Sequence, residues 1–266
     1  MEGLRDTATA RETPSSPVDG RARRIALLAA YNLWAWPVFV ANTLGAFGAG
    51  LLRSTFEDPG KAFDGVVSRW ARRNVAIGGY RFLVDGPAPR GGAVVVSNHR
   101  SWFDVEVLFA VVPPPVRFVA RTGILGVPVV GAVLERGGHI VVDRDRSAKN
   151  DAALARAARL AREGFRISFF PEGTRSKDGR IGPFRGGAFR VAAEAGVPIV
   201  PLVLAGTHGA FERIGGPIRP ATVAARFLPH RKVTPAQAGD PEWRESLRVE
   251  MAECLAAIAP GTGPRL

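Results

Sequence analysis

Two short polar runs hold the residue types that can do chemistry. The first is Ser97-Asn98-His99-Arg100-Ser101-Trp102-Phe103-Asp104, which follows the apolar run Ala93–Val96. A histidine held through one ring nitrogen by a carboxylate leaves the other free to take a proton from a hydroxyl, and its ordinary pKa of about 6.5 suits that task. His99 and Asp104 are five positions apart, which on a continuous helix separates them by about 140°. A strand-to-helix turn brings them together instead. Ser101, three residues before Asp104, reads as the start of a capping box, with Asp104 in the first helical turn and His99 in the loop before it. The competing reading is an Asp104 that only caps a helix and a His99 that is a plain surface-loop residue.

The second run is Ile167-Ser168-Phe169-Phe170-Pro171-Glu172-Gly173-Thr174-Arg175-Ser176. An apolar strand stops at Pro171 and a polar turn follows, so Glu172 and Arg175 stand at a strand's end, where ligands of open α/β sheets bind. Arg175 can clamp a phosphate through two parallel hydrogen bonds. A turn carrying a local ion pair is the plainer alternative.

The elements that must position these runs follow from periodicity. Candidate strands are Arg81–Val84, Ala93–Ser97, Val116–Ala120, Ile140–Asp143, Ile167–Phe170, Ile199–Leu204 and Val223–Phe227. Helical patterns lie at Asp104–Val111, Ile124–Leu134, Asp151–Arg162 (with Asn150 as N-cap and Gly164 as stop), Gly187–Ala195 and Trp243–Ile258. Strands alternating with helices predict an α/β domain over residues 80–260, a mostly parallel sheet with flanking helices. Residues 1–20 read as a disordered tail. The glycines Gly45, Gly48 and Gly50 lie inside an apolar run, not after a strand, so no nucleotide fingerprint is present.

The 266 residues carry a net charge of +12, from 36 basic and 24 acidic side chains, and only four of the basic residues are lysine. Such an excess favours an anionic partner, whether a nucleic acid, an acidic membrane surface or a phosphate-bearing substrate. A single cysteine, Cys254, excludes an internal disulfide framework and a cysteine-based zinc site, and with four histidines a His-rich metal site is not expected. His139, His208 and His230 are expected in structural or loop positions.

Ile25–Leu52 runs 28 residues without a charge, long enough to cross a bilayer. Arg21, Arg23 and Arg24 precede it and Arg53 follows. Pro37 and the glycines at 45, 48 and 50 argue against one straight helix. A single span, a buried core helix and a broken helix or hairpin in one leaflet compete. The hairpin keeps both basic flanks on the cytoplasmic side. Ile25–Leu52 is therefore expected to form a hairpin within a membrane-associated helical region over residues 21–79, ahead of the α/β domain, on the cytoplasmic face of the cell membrane.

Asn98–Asp104 resembles the NHxxxxD block of the glycerolipid acyltransferases, the family of the bacterial 1-acylglycerol-3-phosphate acyltransferases. Phe170–Ser176 looks like that family's FPEGTRS block without a change. Gly138–Arg144 is similar to its glycine-to-arginine block, with valine where an aromatic residue or isoleucine is usual. Val197–Leu202 looks like its VPxxP block, ending in leucine. The four blocks stand in the family's order across residues 97–202.

The resemblance implies acyl transfer from acyl-CoA or acyl carrier protein to the sn-2 hydroxyl of lysophosphatidic acid by a monotopic membrane enzyme. His99 would be the general base and Asp104 its orienter. Arg144, Glu172, Gly173, Thr174 and Arg175 would bind the acceptor, and neither cofactor nor metal is required. The NHRSW variant leaves another lysophospholipid or lyso-aminolipid open as acceptor. A different class also stays open, a basic membrane-surface protein that binds lipid or nucleic acid without catalysis. No nucleic-acid partner is expected, since the chain has no recognisable nucleic-acid module.

Overall fold

Val94, Val95 and Val96 are all completely buried, and they alternate between two separate apolar layers. Only a strand covered on both faces can do this. The computed structural model describes residues 17–127, 130–143, 147–213 and 215–264. Among them eight strands form one sheet: β1 (Arg81–Asp85), β2 (Ala93–Ser97), β3 (Val116–Arg121), β4 (Ile140–Val142), β5 (Arg166–Phe169), β6 (Ile199–Ala205), β7 (Ala221–Phe227) and β8 (Gly263–Pro264). Their order is β1-β7-β6-β2-β5-β3-β4, with β8 beside β7. The run from β6 to β4 is parallel throughout, β1 is parallel to β7, and β7 is antiparallel to both β6 and β8.

The helices are α1 (Pro17–Arg53), α2 (Pro59–Ile77), α3 (Asp104–Val111), α4 (Val130–Arg136), α5 (Ser147–Arg162), α6 (Gly187–Ala195), α7 (Pro235–Gly239) and α8 (Pro241–Ile258). Phe63, Trp70, Phe103 and Leu108 from α1–α3 and the loop before α3 pack on one sheet face, together with Phe47. Leu154, Phe189, Leu247 and Met251 from α5, α6 and α8 pack on the other. The mostly parallel α/β fold is as expected, and β2, α3 and α6 have the expected bounds.

Several expectations are corrected. The expected tail loses its last four residues, because α1 already begins at Pro17. The sheet reaches past residue 260, since β8 lies at Gly263–Pro264. The single helix expected over Ile124–Leu134 is a 3₁₀ turn, Thr122–Gly126, followed by α4. The chain carries Pro128 between the two, and proline disfavours helical geometry in the residue before it. Asn150 is not a cap: α5 starts earlier, and the Asn150 carboxamide bonds the N–H and C=O of Asp143 at the end of β4.

The largest correction concerns the apolar stretch, which is one unbroken helix through Pro37 and the glycines. Pro37 and Leu33 both lie on the side of α1 that faces away from the protein, so the proline ring displaces nothing in the core. The hairpin exists, but it is made by α1 with α2. Asp58 caps α2 by accepting the Lys61 N–H at 3.1 Å, with Pro59 in the first turn. Gly50 meets Phe63, the Trp70 indole donates to Thr43, Asn42 bonds Asn74, and the Tyr31 hydroxyl bonds the Ile77 carbonyl, an antiparallel register. A side chain at Gly50 would put its Cβ 2.5 Å from the Phe63 ring, so only glycine allows this approach. The buried Arg117 guanidinium pairs with Asp64 and covers the Phe165 ring at 4.5 Å, which ties α2 to β3.

Candidate active site

The chain leaves β2 at Ser97, and the next side chain fixes its path. Asn98 is fully buried, and its carboxamide brackets Leu204 in β6, donating to the carbonyl at 2.9 Å and accepting the N–H at 2.8 Å. The backbone of His99 is then gripped on both sides by the second polar run. Its N–H donates to Glu172 Oε1 at 2.8 Å, and its carbonyl accepts the Ser176 N–H at 2.8 Å. Glu172 Oε2 accepts the Gly182 N–H at 2.8 Å, so both carboxylate oxygens are engaged by backbone.

The His99 ring stacks on Phe170, centroids 3.8 Å apart and planes within 4°. Its Nδ1 lies 2.9 Å from Asp104 Oδ2. A carboxylate only accepts, so Nδ1 carries the hydrogen and Nε2 presents a lone pair. The Asp104 side chain is wholly buried and that of His99 is 16% exposed, which leaves the ring within reach of a substrate. Asp104 Oδ2 also accepts the N–H groups of Arg100, at 2.5 Å, and Ser101, at 2.7 Å. The strand-to-helix turn thus brings together the two residues that a straight helix would separate.

The capping box forms only in part. Asp104 takes the Ser101 N–H, but Ser101 Oγ donates to the Phe211 carbonyl at 2.7 Å instead of capping at Asp104. Toward the helix start it accepts the Phe103 N–H, at 3.3 Å. Ser101 therefore fastens a loop that lies 110 residues further along the chain.

The residues expected to bind an acceptor differ in their surroundings. Glu172 is buried and faces backbone. Thr174 is exposed, with no side-chain hydrogen bond among the described residues. Arg175 lies with its guanidinium 4.6 Å over the Trp102 ring while Nη1 donates to the Glu212 carbonyl at 2.6 Å. Arg144 lies outside the described residues. Gly173 has φ +69°, and a Cβ there would fall 2.8 Å from Arg185 Nε. The Gly173 carbonyl accepts Arg121 Nη1 at 3.3 Å. Arg121 and Arg185 therefore flank this glycine, and among the described residues no acid pairs with Arg121, Arg175 or Arg185. The sequence reading passed over Arg121, although its place at the C-terminal end of β3 is the signal that singled out Arg175.

Burial sets the protonation of the acids around the dyad. It pushes Glu172 up to about 7 against the N–H bonds from Gly182 and His99 that favour its charge. Glu106, in the first turn of α3, is pushed up to about 8, again by burial, with the Asp104 charge adding to it. The Tyr80 hydroxyl is raised by burial and by Glu106, and it joins Glu106 Oε2 and Asp104 Oδ1 among the buried atoms without a hydrogen-bond partner. His139 is driven down to about 3 by burial and the nearby arginines, so it stays neutral, and its Nδ1 accepts the Phe118 N–H at 2.9 Å. That is the structural part expected of it. His230 lies in a loop on the Pro87 carbonyl, 2.8 Å away.

Residues 81–205 match the family model described as Acyltransferase. A chloroplastic 1-acyl-sn-glycerol-3-phosphate acyltransferase of Brassica napus is 41% identical over 121 residues, 46% of this chain and 35% of the relative. The 1-acyl-sn-glycerol-3-phosphate acyltransferase of Haemophilus influenzae is 31% identical over 157 residues, 58% of this chain and 65% of the relative. The matched segments thus span about a third to two thirds of these relatives' lengths. A crystal structure of the 1-acyl-sn-glycerophosphate (LPA) acyltransferase from Thermotoga maritima shares the fold, with TM-score 0.68, 21% identity and coverage of 90% of this chain and 98% of that one.

The raised pKa of Glu106 has a consequence for stability. The folded chain keeps this proton up to about pH 8, whereas an unfolded glutamate releases it near 4.5. Between those values the folded state binds more protons, so the contribution of this group falls as pH rises through the interval. Glu106→Gln removes that term. Its unfolding temperature in detergent should fall less than the wild type's between about pH 5 and pH 8. Equal slopes for the two proteins would show Glu106 already ionised at neutral pH.

Proposed function

We propose that the chain, which matches the family model described as Acyltransferase over residues 81–205, moves a fatty acyl group from a thioester donor, acyl-CoA or acyl carrier protein, to the free sn-2 hydroxyl of lysophosphatidic acid, giving phosphatidic acid. The observation that carries this reading is the His99 ring, with Nδ1 on Asp104 and Nε2 unbonded among the described residues. Nε2 takes the hydroxyl proton as the acceptor oxygen attacks the thioester carbonyl carbon. When the tetrahedral centre collapses, the C–S bond breaks and the imidazolium returns the proton to the leaving thiolate. Asp104 favours the imidazolium between these steps and holds the ring's tautomer. Ser101 is not needed as a nucleophile, which agrees with its hydroxyl being engaged by Phe211.

The acceptor's phosphate is assigned to Arg175 together with Arg121 and Arg185, the two arginines that flank Gly173. Glu172 serves this site by positioning the His99 backbone rather than by touching the acceptor.

The membrane reading rests on α1. Its Gly20–Arg53 portion is long and apolar enough to cross a bilayer. One face, with Tyr31, Trp36, Phe39 and Phe47, packs on the protein. The other exposes Leu33, Trp34, Val40, Leu44 and Leu52. A helix bound to protein along one side and bare and apolar along the other lies in a leaflet rather than across both. The basic flanks then stay on the cytoplasmic face. After cell fractionation the protein should resist high-salt washes and yield to detergent, because salt screens charge but leaves apolar burial intact. Recovery of the full-length chain in the salt wash overturns this assignment.

Purified enzyme in detergent, assayed against a panel of lysolipids with both donor types, should turn over lysophosphatidic acid. His99→Ala should lower kcat by about 10²–10⁴-fold, the usual worth of a general base, and Asp104→Asn should lower it while keeping the fold. Near-normal turnover by folded His99→Ala would falsify the mechanism.

Arg175→Ala should lower kcat/KM for the acceptor by roughly ten- to a hundredfold, as expected for one charge-assisted hydrogen bond. Arg175→Lys keeps the charge without the fork and should fall between. The loss should shrink for a lysolipid lacking phosphate. Equal losses for both acceptors assign Arg175 to the donor or to the structure of the site, and a wild-type preference for the phosphate-free lysolipid overturns the choice of acceptor.

A further inference from the structure

Arg175 does not set its own position. Among the described residues its guanidinium engages the Glu212 carbonyl and the Trp102 ring, and both belong to one assembly built on the connection between β6 and β7. The Phe211 carbonyl accepts the Trp102 N–H at 3.2 Å and the Ser101 hydroxyl at 2.7 Å. The connection closes on itself where the Arg219 N–H meets the Ala210 carbonyl at 2.9 Å. It has no helix or strand among its described residues, so its shape depends on what it is tied to.

The tie comes from the apolar helix. The Asn32 carboxamide brackets the backbone of Ile218, donating to its carbonyl at 3.0 Å and accepting its N–H at 2.8 Å. One turn on, the Trp36 indole N–H donates to the Gly216 carbonyl at 3.0 Å, and its ring lies 5.7 Å from that of Phe211. Asn32 and Trp36 are spaced i, i+4 and so share one face of α1. A carboxamide in a 28-residue uncharged stretch is costly unless its bonds are satisfied, and here both ends are, by the loop that carries Glu212.

We infer that Asn32 and Trp36 are positioning residues for the acceptor-binding Arg175, acting through the connection between β6 and β7. The inference rests on the proposed acyl transfer only for the role of Arg175, and the physical link can be tested without turnover. Asn32→Ala frees the backbone of Ile218, and Trp36→Phe keeps an aromatic ring on Phe211 while removing the indole donor.

In the detergent-solubilised full chain, Asn32→Ala should speed amide hydrogen exchange at residues 209–218 and at Trp102, with exchange in β2 and β5 unchanged. Unchanged exchange at Trp102 overturns the link. In the assay, Asn32→Ala should lower acceptor kcat/KM by about five- to tenfold, the scale of one lost hydrogen bond, with the donor's KM unmoved. Trp36→Phe should lose less. The deciding measurement is the same substitution in an Arg175→Ala background, where it should cost less than about twofold if it acts through that arginine. Equal losses in both backgrounds, or an equal rise in the donor's KM, show that Asn32 is only a structural fastener. Faster exchange at Trp102 in a protein that acylates no lysolipid supports the link and refutes the proposed activity, so the two failures are distinct.

Discussion

A completely buried carboxylate organises the site. Asp104 stands without solvent, and isolation of a charge in such a place is prohibitive unless donors surround it. Three donors converge on its Oδ2, the N–H groups of Arg100 and Ser101 and the imidazole of His99. To supply the two backbone groups, the chain must curl tightly between the end of β2 and the start of α3. That curl is what swings His99 back over the helix start. The turn, the tautomer and the free Nε2 are thus consequences of satisfying one charge. The second carboxylate, Glu172, works on the same loop from outside, taking the His99 N–H and joining it to the turn after β5.

Keeping acids occupied or neutral has a second effect. Glu106 holds its proton at neutral pH and Glu172 is poised near 7. Asp104 is held by three donors on its Oδ2. None of these carboxylates reaches the arginines around Gly173, so positive charge at the strand ends remains available to an anion. A site with the same arginines and exposed acids would form local ion pairs instead, which was the plainer reading of the second polar run.

Much of this was legible in the sequence because it obeys local rules. The apolar run Ala93–Val96 was legible as a strand, and Asp104–Val111 had the period of a helix just after a polar turn. His99 and Asp104 were legible as a pair only through that turn. What escaped depends on partners far away in the chain. Ser101 looked like a cap, yet its hydroxyl prefers the Phe211 carbonyl, which is brought near only when the sheet is assembled. Asn150 also looked like a cap, but α5 begins before it and its carboxamide fastens Asp143, seven residues back at the end of β4. Arg121 carried a usable signal at the end of β3 but no motif to draw attention to it. Pro37 was misjudged because it lies on the side of α1 that faces away from the protein, where its ring disturbs no packing against α2 or the sheet.

The same facing rule explains α1 as a whole. Its polar groups with long-range partners, Tyr31, Asn32, Trp36, Asn42 and Thr43, bond to α2 or to the loop after β6. The opposite side carries only apolar residues, glycine and proline from Leu33 to Leu52. A helix meant to sit wholly in lipid has no use for Asn32 or Asn42, and one meant for a soluble core does not leave Leu33 80% exposed. The division between the two sides therefore gives α1 two loads. In the proposed setting its outer side fixes the depth of the protein in the leaflet, and its inner side holds the loop that touches Arg175. Because a rigid helix carries both, the depth of immersion and the placement of the arginine are set by one element, and the acceptor's headgroup meets its guanidinium at a height that α1 determines.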